Sequence, residues 1–154
     1  MPKPPDSAQE QLLSAVQNAK NRLEYLTRND WALILDRAQR VAFKKNDKLV
    51  EQRKLTKTLY LVASGNVNVM VALTPIARIG PGEICGEMAF LEASVPSATA
   101  TAEGTVEAYA LGWDALEDLF QLYPHLASRF YRSLAVSLSR RLREQIARGS
   151  DHPE

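Results

Sequence analysis

A single cysteine, Cys85, in 154 residues excludes an intrachain disulfide framework. Nothing therefore calls for an oxidising compartment, and a cytoplasmic location is expected. Only two histidines are present, His125 and His152, and neither stands at metal-ligand spacing from a partner, so no metal or cofactor is expected. No apolar run approaches the roughly 18 residues of a membrane-spanning helix, and the first thirty residues lack the apolar centre of a signal peptide. No membrane insertion is expected. An excess of one charge is missing as well: 19 Lys+Arg face 18 Asp+Glu for a formal net charge of +1, which removes the whole-chain footprint of a dedicated nucleic-acid binder. No internal repeat of solenoid length and no nucleophile-base-acid spacing is found, so the chain reads as neither a repeat protein nor an enzyme.

What is there is an ordinary globular composition, 45% hydrophobic and 24% charged, at a length that fits one domain. Ser7 followed by Glu10 is a capping-box pattern, and Leu12, Leu13, Val16, Leu23 and Leu26 follow near helical spacing. Thr27 and Asp30 repeat the start signal ahead of Trp31, Leu33, Ile34 and Leu35, predicting a second helix after a break near Leu26. From Val41 the texture turns to short Val-, Leu-, Tyr- and Thr-rich runs punctuated by Asn46-Asp47, Ser64-Gly65 and Gly80-Pro81-Gly82. Val67, Val69 and Val71 alternate with polar or flexible neighbours and belong on one sheet face. Thr74-Pro75 predicts a tight connection to a strand at Ile76 to Ile79, and Glu103-Gly104 a turn pairing strands at Ser97 to Ala102 and Val106 to Leu111. Asp114 is the expected N-cap of the next helix and Pro124 the restart of a longer one, with Phe130, Leu134, Leu138, Leu142 and Ile146 recurring every four residues. Helices, many short strands, then helices predict an α+β domain built on a small β-barrel or sandwich.

Between two of the strands lies Gly80-Pro81-Gly82-Glu83-Ile84-Cys85-Gly86-Glu87-Met88-Ala89-Phe90-Leu91. Glycine lets backbone N–H groups approach an anion, a following helical turn aims more of them the same way, and a carboxylate accepts hydrogen bonds from sugar hydroxyls. The stretch resembles the phosphate-binding cassette of cyclic nucleotide-binding domains, the β-roll modules of catabolite activator regulators, kinase regulatory subunits and gated channels. Further markers run from Leu26 to Arg148: Leu26-Thr27 with Asp30, Phe43 and Leu49, Tyr60-Leu61-Val62 with Ser64-Gly65, and Ala98-Thr99.

The resemblance implies a jelly-roll-like β-roll flanked by N-terminal helices and a long C-terminal helix. The expected layout is an N-terminal tail and helix at 1–26, the domain at 27–148 with its roll at about 41–111 and C-terminal helices at about 114–148, and a disordered tail at 149–154. It implies that Gly86, Met88 and Ala89 sit where backbone meets a cyclic phosphate, that Glu87 meets the ribose, and that Ser97, Ala98 and Thr99 close the site.

The sequence also departs from the family. Members that bind cyclic nucleotides carry an arginine just after the cassette loop, and this chain reads Ser94-Val95-Pro96-Ser97-Ala98-Thr99 there. From Ile79 to Ser128 the charged residues are all acidic: Glu83, Glu87, Glu92, Glu103, Glu107, Asp114, Glu117 and Asp118. Any cation must come from elsewhere, and Arg78, Arg129 and Arg132 are the candidate phosphate partners. Losing a charge-assisted partner costs about 1.5–3 kcal/mol, so weak or no affinity for cyclic AMP and cyclic GMP is expected. Two early turn glycines of the family are replaced by Asn46, which tolerates a left-handed backbone, and by Arg53, which does so poorly, so the second turn is expected to differ. Cys85, in apolar company, reads as a small buried filler. The expected role is a stand-alone sensor for a cyclic nucleotide or other small ligand. The alternative is a ligand-free interaction module that forms a homodimer through its basic, apolar-striped C-terminal helix. With six residues after Arg148, no helix-turn-helix and no direct DNA reading is expected.

Overall fold

A computed structural model describes residues 7–150. The expected fraying of Met1 to Pro5 and of 151–154 lies outside the described residues, while Gly149, expected in the tail, is still helical. Over the described residues the order is α1 (Ser7–Asn18), α2 (Arg28–Leu35), β1 (Gln39–Phe43), β2 (Lys48–Val50), β3 (Thr58–Ser64), β4 (Val67–Val71), β5 (Thr74–Ile79), β6 (Ile84–Cys85), α3 (Glu87–Glu92), β7 (Thr99–Ala102), β8 (Val106–Gly112), α4 (Trp113–Leu122) and α5 (Pro124–Ser150). No helix among the described residues is long and apolar enough to cross a membrane.

The strands form two antiparallel four-stranded sheets, ordered β1-β8-β3-β6 and β2-β7-β4-β5. This is an eight-stranded β-roll with helices at both ends, as the sequence predicts. Strand β3 shows how one core becomes two. Leu59 and Leu61 point outward onto a cluster with Leu12, Trp31, Leu116, Phe130 and Leu134, while Val62 joins Val50, Val67, Ile79 and Ala100 inside the roll. The period-two alternation of a strand thus divides its side chains between the helices and the roll interior.

Several local expectations are corrected. The first helix ends at Asn18, well short of Leu26, although Leu23 still enters the core. Strands β7 and β8 do not pair with each other: β7 lies between β2 and β4, and β8 between β1 and β3. The Glu103-Gly104 turn carries the chain from one sheet to the other, and turn residues alone cannot distinguish a hairpin from such a corner. The β4–β5 turn falls at Ala72-Leu73, with Ala72 at φ 53, and Pro75 lies within β5, an edge strand where its missing N–H is tolerated. Val67 is fully buried, Val69 partly and Val71 exposed, because that face runs out of the roll towards the hairpin tip. Gly112 rather than Asp114 caps α4, and Asp114 sits in the first turn, where its charge complements the helix dipole. Both Asn46 (φ 73) and Arg53 (φ 69) adopt the left-handed backbone. Arg53 thus takes the left-handed backbone it tolerates poorly, and its N–H donates to the Pro96 carbonyl at 2.9 Å, offsetting a conformational cost of about 1–2 kcal/mol.

The two halves of α5 are held differently. Leu126, Phe130 and Leu134 are almost completely buried, the Ser133 hydroxyl accepts the Tyr25 N–H, and Ser137 donates to the Asn21 carbonyl. Leu142 and Ile146 are instead 57% and 62% exposed. A four-residue spacing overshoots a 3.6-residue turn by about 40° each time, so the stripe rotates by about 160° from Phe130 to Ile146. The apolar line therefore winds off the domain, and polar contacts hold the outer half.

Candidate functional site

Strand β6 ends at Cys85, and the next residue, Gly86, with a φ of 93°, turns the chain directly into α3. A Cβ at Gly86 would also come within 3.3 Å of the Thr58 carbonyl, so glycine serves both the left-handed turn and the close approach of β3. This geometry makes Glu87 the first residue of α3, and its side chain lies buried.

Beside the cassette opens a cleft of about 640 Å³. Its walls come from Gly86 to Ala89, from Pro96 to Ala98, from Asn68 and Val69 of β4, from Pro75 to Ile79 around β5, and from Leu138, Arg141, Leu142 and Gln145 of α5. Gly86, Glu87, Met88, Ala89, Ser97 and Ala98 thus converge on one space. Thr99 does not line it. Its hydroxyl oxygen accepts the Gln52 N–H at 3.0 Å, fastening the β2–β3 loop to the start of β7.

The three candidate arginines divide. Arg78 reaches the rim, but it is exposed and clasps Glu103, with Nε at 3.0 Å and Nη2 at 2.8 Å from the carboxylate. Arg129 lies away from the cleft on the buried Asp30 carboxylate, at 2.7 and 2.8 Å, where Asp30 also completes the Thr27 capping box. Burial raises the Asp30 carboxyl, but the hydrogen bonds from Arg129 and Thr27 together outweigh it and hold the group below its ordinary range. Arg132 lies over the Tyr25 ring, 4.2 Å from its centroid. Arg129 and Arg132 are therefore structural ties between α5 and the N-terminal segment.

The guanidinium that does face the cassette is Arg141. Its Nη1 lies 3.4 Å from Glu87 Oε1 and its Nη2 3.4 Å from Glu83 Oε2, with the side chain only 15% exposed. Glu83 is buried too, and its Oε1 accepts the Gly80 N–H at 2.9 Å, closing the glycine-rich turn. Sequence reasoning missed both residues. In sequence Arg141 is one of several arginines on a basic helix; it is singled out only once Ser133 and Ser137 are seen to mark the inward face that it continues. Burial pushes the Glu87 carboxyl above the ordinary glutamate range, an effect Arg141 partly reverses. Cys85, also fully buried, has its thiol pushed up by burial and by the neighbouring Glu87, so it stays protonated and inert. Among the described residues no group of three or more His, Cys, Asp or Glu is placed to hold a metal.

The model of the cyclic nucleotide-binding domain family matches residues 40–123. The cyclic AMP receptor protein of Thermus thermophilus is 35% identical over 117 residues, covering 73% of this chain and 52% of that protein. Cyclic GMP-binding protein C of Dictyostelium discoideum is 27% identical over 128 residues, covering 80% of this chain and 5% of the relative. A cyclic nucleotide-binding domain from Methylobacillus flagellatus superposes with a TM-score of 0.76 at 24% identity, covering 94% of this chain and 85% of that one, a likeness of fold. The chain spans about half or less of the length of the curated relatives it matches.

Proposed function

The chain belongs to the cyclic nucleotide-binding domain family, and from that premise we propose that it is a regulatory sensor module whose ligand site is the cleft between the cassette and α5. One observation carries this. The cassette keeps its left-handed Gly86, buried Glu87 and adjoining open cleft, while the arginine expected beyond the loop is replaced by the Pro96-Ser97 wall. The desolvation of a carboxylate at the floor of an open space is offset in part by Arg141, and a ligand hydroxyl donating to Glu87 would offset it further. Without the arginine, cyclic AMP and cyclic GMP bind weakly or not at all.

A ligand that prefers one position of α5 shifts the population towards it, by no more than its differential affinity for the two positions. The outer half of α5 suits this role, since polar contacts rather than deep apolar packing hold it: Lys20 with Glu144 at 3.4 Å and the Gln145 amide to the Ile76 carbonyl at 2.9 Å. No catalysis is assigned to the module. Calorimetric titration with both cyclic nucleotides tests the proposal, and low-micromolar affinity for either would refute weak binding.

Exposed Leu142 and Ile146 favour a second role, a ligand-free module whose terminal helix docks on another copy or partner. Thermal-shift screening against small ligands separates the two, because anything that binds only the native state raises its midpoint. A screen without a single shift would favour the docking module.

A further inference from the structure

The formal net charge of +1 conceals a separation of charge along the chain. Residues 44–57 carry Lys44, Lys45, Lys48, Arg53, Lys54 and Lys57 against Asp47 and Glu51. These residues form the edge strand β2 and its two flanking loops, and all of these cations are exposed. Glu51 answers only Lys48 and Lys54, at 3.2 and 3.9 Å. The acidic counterpart is α4. Its Trp113, Leu116, Leu119 and Phe120 are buried, which leaves Asp114, Glu117 and Asp118 exposed on one outward stripe at helical spacing.

The two surfaces adjoin. The Trp113 N–H donates to the Lys57 carbonyl at 2.9 Å, so the β2–β3 loop ends where α4 begins. They nevertheless leave each other's charge unanswered: among the described residues Arg53, Lys57, Asp114, Glu117 and Asp118 make no ion pair. Each surface also exposes apolar side chains, Leu55 at 46% on the loop, and Leu122 at 65% and Tyr123 at 44% at the far end of α4. Apolar groups rimmed by charge are the composition of a protein interface, and a net charge near zero adds no long-range repulsion between copies.

We propose that two copies of the chain meet on this face, the basic β2–β3 loop of each lying against the acidic stripe of α4 in the other. Because the two surfaces lie side by side on one copy, a two-fold axis makes the same contact twice, as a self-complementary interface requires. A second copy is the partner that answers both surfaces: it brings carboxylates to the loop and cations to the helix, and sets Leu55 against Leu122 and Tyr123. An anionic membrane would attract the loop and repel the helix beside it. No residue of α5 or of the cleft takes part, so this interface stands or falls independently of the sensor and of helix docking.

The test is sedimentation velocity of the wild type, of a Lys54→Glu, Lys57→Glu protein and of a Glu117→Lys, Asp118→Lys protein, each alone and the last two mixed, after circular dichroism has shown them folded. The wild type is expected to dimerise, and to do so about tenfold more weakly when salt rises from about 0.1 to about 1 M and the Debye length falls from about 10 to about 3 Å. Each reversed protein alone sets like charge against like and should associate about a hundredfold more weakly. Their equimolar mixture should restore a heterodimer of near wild-type strength, because every contact is again between opposite charges. Leu55→Asp, a single change in an exposed loop, gives an independent reading and should also weaken the dimer. A wild type that is monomeric at every attainable concentration, a dimer indifferent to both reversals and to salt, or a mixture that does not associate would each overturn the interface. So would a dimer lost only on Leu142→Ser, which belongs to α5, or binding of a monomeric wild type to phosphatidylserine vesicles.

Discussion

Replacing Pro96 with arginine returns a cation to the wall of the cleft beside Ser97, and the structure indicates what this costs and what it gains. Pro96 is buried, lines the cleft and contributes one hydrogen bond, its carbonyl accepting the Arg53 N–H. Pro96→Arg leaves that bond in place, gives up the stiffening of the unfolded chain, about 0.4–1 kcal/mol of stability, and adds the cost of a new backbone N–H and of a longer charged side chain at a buried position, which the guanidinium lowers by extending into the cleft. A charge-assisted bond to a cyclic phosphate is worth about 1.5–3 kcal/mol, or about ten- to a hundredfold in affinity. Glu83 and Glu87 will draw on the new guanidinium as they draw on Arg141, which places the expected gain nearer tenfold. Calorimetric titration with cyclic AMP measures the gain, and the thermal midpoint certifies the fold. A folded Pro96→Arg protein with wild-type affinity would show that the missing arginine does not set ligand strength here.

Two further outcomes follow from the backbone and from burial. Gly86→Ala forces a side chain onto φ 93° with its nearest contact at 3.3 Å, and should cost about 1–2 kcal/mol. Gly82→Ala would drive a Cβ to 2.3 Å from the Ala15 carbonyl of α1 and should cost more, whereas Gly104→Ala meets nothing within 4 Å and should be nearly silent; urea unfolding giving equal losses would contradict this order. Stability against pH should carry the mark of Glu87, whose folded carboxyl is raised by burial. Its contribution is fully present below the ordinary glutamate value and is lost as pH rises through the raised one. Urea midpoints should therefore fall across that window in the wild type and flatten in Glu87→Gln. Asp30, lowered in the fold, acts in the opposite sense, its contribution being lost only as pH falls below the ordinary aspartate range. Parallel curves for wild type and Glu87→Gln above the ordinary glutamate value would refute the assignment.

The helices, the strand-rich middle and the glycine-rich turn were legible in the chain because each is written locally, and the resemblance of that turn to a family cassette added the roll. Thr27 and Asp30 form the predicted capping box, Gly86 supplies a left-handed turn that few residues adopt, and the alternation through β3 sorts side chains to two faces. Partnership was not legible. The Glu103-Gly104 turn looked like a hairpin and is a corner between sheets; Arg129 and Arg132 looked available for a phosphate and are tied to Asp30 and Tyr25. Arg141, indistinguishable in sequence from its neighbour Arg140, faces Glu83 and Glu87 while Arg140 pairs with Glu24. Capping, turns and alternation depend on residues a few positions apart, so sequence alone determines them. Which guanidinium meets which carboxylate depends on how a long helix lies across a roll folded from residues more than fifty positions away, and only the tertiary structure decides that.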